Sequence, residues 1–140
     1  MSQDAADRRR TISVVPLFAG LPEETISRIA ACATAFDVPA GHVLIETEMA
    51  GSGMFVIADG VVEVHTRTRT VELGAGQAVG ELALLTERGV RSARVQAKTP
   101  VRCLAIARDD FQSILADDHG LALWLLETVA TRLAEADAPK

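Results

Sequence analysis

At 140 residues, 49% hydrophobic and 24% charged, the chain has the length of one domain, able to bury about two-thirds of its unfolded surface without metal or disulfide staples. A formal charge of −5 argues against a protein whose main work is neutralising nucleic-acid phosphates, while one isolated phosphate site stays compatible. Cys32 and Cys103 lie in apolar stretches and read as buried thiols of a reducing cytoplasm, and the longest apolar run, 121–126, is far short of the roughly 20 residues that span a bilayer.

Residues 1–10 are polar without apolar periodicity and read as a flexible tail or a fraying helix start, leaving 11–140 as the domain. Arg8-Arg9-Arg10 ahead of the apolar stretch 12–21 imitates a secretory signal, with Cys32 standing for its lipoprotein cysteine. Pro22, Glu23, Glu24 and Arg28 interrupt that stretch, and charges at such positions are wrong for export. Leu21-Pro22-Glu23-Glu24 instead places Pro and two acids in a first helical turn. Ile26, Ile29, Ala30 and Ala33 follow at helical spacing, which predicts a helix over about 22–33.

From Phe36 the pattern turns to short β-rich pieces separated by Pro39-Ala40-Gly41, Ala50-Gly51-Ser52-Gly53, Asp59-Gly60, Gly74-Ala75-Gly76 and Thr99-Pro100. Such close spacing predicts a barrel or double-sheet jelly roll over about 34–107. Asp59-Gly60 is the strongest hairpin signal, because a two-residue primed turn needs positive φ at both positions. The Thr-Arg alternation over 66–70 reads as a second, solvated hairpin tip. Beyond Ala107 the period becomes helical, with one helix over 108–116 and a longer one from Gly120 to about Ala136. The first half of that helix is apolar nearly all round, so it should cover the barrel and also a ligand or a second subunit.

The stretch 73–97, LGAGQAVGELALLTERGVRSARVQA, carries the chemistry. Three glycines precede Glu81, then 82–85 suggest a short helix, a charged glycine-bearing loop follows, and a strand ends the stretch. On that strand Arg91, Ala93, Val95 and Ala97 share one face, and Ser92, Arg94, Gln96 and Lys98 the other. Arg91 therefore has the parity of small inward residues, and an inward arginine needs an anion beside it. Glycines let backbone approach a ligand closely, and amides opening a short helix at 81–83 offer donors to a phosphate.

These residues resemble the phosphate-binding cassette of cyclic nucleotide-binding domains, the family of catabolite-type activators, kinase regulatory subunits and cyclic nucleotide-gated channels. The resemblance extends to Val15-Pro16-Leu17-Phe18 and the helix after it, Pro39-Ala40-Gly41, Met54-Phe55-Val56-Ile57 with Gly60, Gly80-Glu81-Leu82-Ala83-Leu84 and Arg91-Ser92-Ala93. It implies that Glu81 holds the ribose 2′-hydroxyl, Arg91 pairs with the cyclic phosphate, Ser92 adds a phosphate contact, and the amides of Leu82 and Ala83, beside Gly80, cradle the same group. Val79, Arg94 and Trp124 are candidates for base or lid contacts.

Each assignment has a plainer rival. Glu81 and Arg91 could form a buried structural pair, Ser92 could be an ordinary strand residue, Arg94 a solvated one, and Trp124 a core residue. A metal-dependent jelly roll is disfavoured because His42, His65 and His119 are widely separated, and an iron–sulfur sensor would need about four cysteines. Neither a metal site nor catalysis is expected.

The expected fold is mainly β with flanking α: a double-stranded β-helix, or jelly-roll-like β-roll, with N-terminal helices, a short phosphate-binding-cassette helix, and a C-terminal hinge and lid helices over about 108–136. The expected function is a cytoplasmic sensor without cofactor that binds cAMP, or cGMP, and moves its last helix about a hinge at Asp117-Asp118-His119-Gly120. The alternative is the same fold without nucleotide, serving as a protein–protein interaction module. The activators' helix-turn-helix has no counterpart here, so no nucleic-acid partner and no membrane span are expected; an unknown effector protein is, and a homodimer through the last helix is compatible.

Overall fold

The computed structural model of the chain describes residues 2–45, 53–81 and 93–136. Among them are four helices, α1 (Ser2–Ser13), α2 (Glu23–Ala31), α3 (Arg108–Asp117) and α4 (His119–Ala136). Eight strands lie between α2 and α3: β1 (Thr34–Val38), β2 (Val43–Ile45), β3 (Gly53–Asp59), β4 (Val62–His65), β5 (Thr70–Leu73), β6 (Ala78–Val79), β7 (Arg94–Ala97) and β8 (Val101–Ala107). They form two four-stranded sheets in the orders β1-β8-β3-β6 and β2-β7-β4-β5, with antiparallel pairing throughout. This is the expected β-roll with flanking helices.

The two sheets differ in how they meet water, and the strand sequences show why. In β3 and β8 both faces are apolar: Ile57, Val101 and Cys103 point between the sheets, while Met54, Val56, Leu104 and Ile106 join a core shared with the helices. The second sheet alternates instead. Val62, Val64, Val95 and Ala97 turn inward, whereas Glu72, Arg94 and Lys98 are exposed. The helical core centres on Phe18 and Phe111, both fully buried with ring centroids 5.9 Å apart, and each such side chain contributes about 1.5–3 kcal/mol by leaving water.

Three differences from the sequence reading have local causes. The polar segment 1–10 belongs to α1, which is held by Ile12, fully buried, and by Arg8, whose Nη1 donates to the Ala33 carbonyl at 3.1 Å. Asp59-Gly60 is not a hairpin turn. β3 pairs with β6 and β8, and β4 with β5 and β7, so this corner carries the chain from one sheet to the other. Only Gly60 has the positive φ, at +96°, and a Cβ there would stand 2.3 Å from the Pro100 carbonyl oxygen; glycine is needed for the corner and for the close approach of backbone. Gly120 falls inside α4 rather than in a free hinge, and the chain breaks one turn earlier, at the extended backbone of Asp118. The 66–70 tip does close a hairpin, with His65 opposite Thr70. No described helix is long and apolar enough to cross a membrane.

Candidate functional site

The cassette is reached through β6, whose Val79 lies opposite Phe55 of β3 and is buried in the core between the sheets. The turn before it is tied down at both ends. Gln77 N–H donates to the Gly74 carbonyl at 3.1 Å, the Gln77 side-chain oxygen accepts from Gly74 N–H at 2.8 Å, and Gly76 N–H donates to Ile57 of β3 at 2.9 Å. Gly74 and Gly76 thus serve the turn. Gly80 follows at φ +81°, a conformation glycine takes without strain, and Glu81 has helical backbone.

Glu81 is half-buried, and its Oε2 accepts a hydrogen bond from Nη1 of Arg132 on α4 at 2.9 Å. Sequence reasoning missed Arg132. It lies 51 residues from Glu81, and the signal available was that it is the sole lysine or arginine in α4. The pair joins the cassette to the last helix directly.

Leu82, Ala83, Arg91 and Ser92, together with the expected cassette helix beyond Glu81, lie outside the described residues. The strand that Arg91 precedes keeps the expected parity where it is described: Val95 and Ala97 are buried, and Arg94 is exposed opposite His65. Arg94 therefore stands on the outer face of its sheet. Trp124 is half-buried against the N-terminal segment, where its Nε1–H donates to the Leu17 carbonyl at 3.1 Å and its ring covers Gly20 so closely that a Cβ would come within 2.8 Å. To cover a ligand, Trp124 would first have to leave this seat.

His42 and His119 are exposed and His65 meets Thr70 at 3.1 Å, so the three histidines stay apart. Burial, with Asp37 adding to it, pushes the Cys103 thiol up to about 11, and burial followed by the charge of Asp110 raises that of Cys32. Both are poor nucleophiles as a result. What the arrangement offers is recognition: a carboxylate beside a glycine turn at the edge of a β-roll, watched by an arginine from the last helix.

Residues 36–118 match the cyclic nucleotide-binding domain family. A cyclic nucleotide-gated potassium channel of Rhizobium etli is 35% identical over 130 residues, 93% of this chain and 36% of the channel. Among solved structures, the N-terminal domain of a transcriptional regulator from Streptomyces coelicolor superimposes with a TM-score of 0.78 at 29% identity, covering 91% of this chain and 97% of that one. The regulatory domain of Toxoplasma gondii PKA, crystallised with cAMP, shares the fold at a TM-score of 0.75 and 24% identity, covering 81% of this chain and 45% of that one. The chain spans about a third of the length of the curated relatives it matches first. With its family match running from β1 to Asp118 and so through the Gly80-Glu81 turn, the chain belongs to the cyclic nucleotide-binding domain family.

Proposed function

We propose that the chain binds a 3′,5′-cyclic nucleotide, cAMP at least as tightly as cGMP, and reports occupancy through α4. One observation carries the reading: Glu81, in the cassette turn, shares its carboxylate with Arg132 of the helix that would respond. With Oε2 engaged by Arg132, Oε1 is left to accept the ribose 2′-hydroxyl. Arg91, Ser92 and the amides of Leu82 and Ala83 hold the cyclic phosphate in this reading, Gly80 gives the backbone its turn, and Val79 lines the inner end. No catalytic residue and no cofactor is assigned. A cytoplasmic location goes with the reading, supported by the free thiols of Cys32 and Cys103.

α4 also carries a face that the domain leaves uncovered. Ala122, Leu126, Val129 and Leu133 follow one another at intervals of four, three and four residues, the spacing of a coiled-coil seam. All four are exposed. A second copy of the chain presents the same seam by symmetry, and a homodimer through α4 is therefore part of the proposal, with the effector protein reading its arrangement.

The test is a thermal-shift panel of cAMP, cGMP and the cyclic pyrimidine nucleotides, followed by titration calorimetry. A nucleotide at 100 times its dissociation constant stabilises by roughly 2.7 kcal/mol. A strong calorimetric preference for cGMP would overturn the base assignment and make Ser92→Ala the next variant. No shift with any nucleotide would overturn the binding reading in favour of an interaction module.

A further inference from the structure

Thr25 of α2 is the buried polar residue of the described core, and its hydroxyl donates to Oδ2 of Asp118 at 3.2 Å across 93 residues of sequence. The other oxygen of Asp118, Oδ1, accepts Leu121 N–H at 2.9 Å, and the Asp118 carbonyl accepts Ala122 N–H at 3.2 Å, so Asp118 is the N-cap of α4. One carboxylate thus ends the chain break, starts the last helix and fastens that start to α2. Arg28, one turn beyond Thr25, faces Asp117 at 3.7 Å.

The rest of α4 divides sharply. Leu121 and Leu125 are 1% and 5% exposed in the core with Phe18 and Phe111, and between them Trp124 is bonded to Leu17. Leu126, Val129 and Leu133 are 70%, 43% and 65% exposed, and this distal half reaches the β-roll through Arg132 and Glu81. Segments with few buried contacts open at low free energy, and segments seated in the core open only at high free energy.

We propose that Thr25 and Asp118 are positioning residues that form a fixed pivot for α4: the half up to Leu125 stays with the N-terminal helices, and the response to ligand is confined to 126–136. The pivot fixes the direction in which Arg132 meets Glu81. The hinge expected at Gly120 is replaced by a joint inside the helix, past Trp124. The ligand-dependent part of this inference rests on the proposed response of α4 to nucleotide; the pivot does not.

The experiment is residue-resolved amide exchange on the full chain, first without nucleotide and then with saturating cAMP. Without ligand, the amides of 121–125 should exchange at least about 100-fold more slowly than those of 129–135. Thr25→Val should speed exchange at Leu121 by about fivefold or more, and Thr25→Ser should restore it. Asp118→Ser keeps a cap acceptor but lacks the oxygen that Thr25 binds, and should reproduce the Val effect even if Thr25→Val fails to fold. Adding cAMP should change exchange only beyond Leu126 and leave the Trp124 emission maximum in place. Equal exchange along α4, an unaffected Leu121 in both variants, or a cAMP-induced change reaching 121–125 or Trp124 would overturn the pivot. Absence of any cAMP binding would overturn the functional reading alone, since the ligand-free comparisons decide the pivot without it.

Discussion

Arg132 donates to Oε2 of Glu81 at 2.9 Å, joining the last helix to the turn that opens the cassette. Both side chains are partly exposed, so the bond adds little to stability, in the range of 0–1 kcal/mol for such pairs. Its consequence is for recognition. Glu81→Ala should weaken binding of a ribose cyclic nucleotide about tenfold or more and that of its 2′-deoxy analogue about twofold or less, because the analogue has no hydroxyl to lose. Calorimetry with both ligands checks this, and equal losses would assign Glu81 to holding Arg132 alone.

Arg91→Ala should nearly abolish nucleotide binding, at a cost of about 2–5 kcal/mol, while the ligand-free melting temperature stays close to that of the parent. The strand it precedes turns Val95 and Ala97 inward at the same parity, and a guanidinium continuing that parity supplies the charge that a cyclic phosphate needs. Wild-type affinity in the variant would remove Arg91 from the site.

The β-roll and its helices were legible in the sequence because each depends on local chemistry: turn residues at close spacing, then a return to helical period. The hairpin at Asp59-Gly60 was misread for the same reason. Turn chemistry reports that Gly60 needs positive φ; it does not report whether the next strand joins the same sheet, which here is decided by β8 and β6 flanking β3. Glu81 could be named from its neighbours in sequence. Arg132 could not, because its partner is set by how α4 crosses the roll, and that is fixed by Leu121, Trp124 and Leu125 seated far from either residue.

The seat of Trp124 predicts a strong effect at a small residue. Gly20 holds φ +101°, and a Cβ there would press on the indole at 2.8 Å. Gly20→Ala should therefore destabilise the fold by about 1–3 kcal/mol, through backbone strain and displacement of the ring. The midpoint of urea unfolding measures the loss, and Trp124 emission should move to longer wavelength as the Leu17 bond breaks. An unchanged emission maximum would show that the ring has another seat.

The chain lacks tyrosine, so its alkaline titration is carried by cysteine and lysine. Burial raises the Cys103 thiol from its ordinary value of 9.0 to about 11. The folded state keeps a proton that the unfolded state gives up, so Cys103 contributes stability that is complete below about pH 9 and is lost as the pH rises through about 11. Cys32, raised in the same direction by burial, and Lys98, raised by its hydrogen bond to Glu72, slope the same way. Urea unfolding at pH 8 and pH 10.5 should show a drop that is smaller in Cys103→Ala, and a drop of equal size would assign it to the other groups.

The uncovered seam of α4 sets the last expectation. Leu126 and Leu133 are each more than half exposed, and with Val129 between them they give two turns of a coiled-coil stripe that water must otherwise cover. The seam is short, so the expected association is modest, with dimer forming at roughly 100 µM rather than at nanomolar concentration, because a small interface leaves little surplus over the cost of association. Leu126→Glu places a charge at the centre of the seam and its symmetry mate opposite, which should return the chain to monomer without changing its melting temperature by more than a degree or two. Sedimentation velocity from about 10 µM to about 1 mM reads both chains. Monomer throughout in the parent would mean that the seam awaits the effector rather than a second copy, and co-sedimentation of α4-bearing chain with that effector, lost in Leu126→Glu, would then identify the partner.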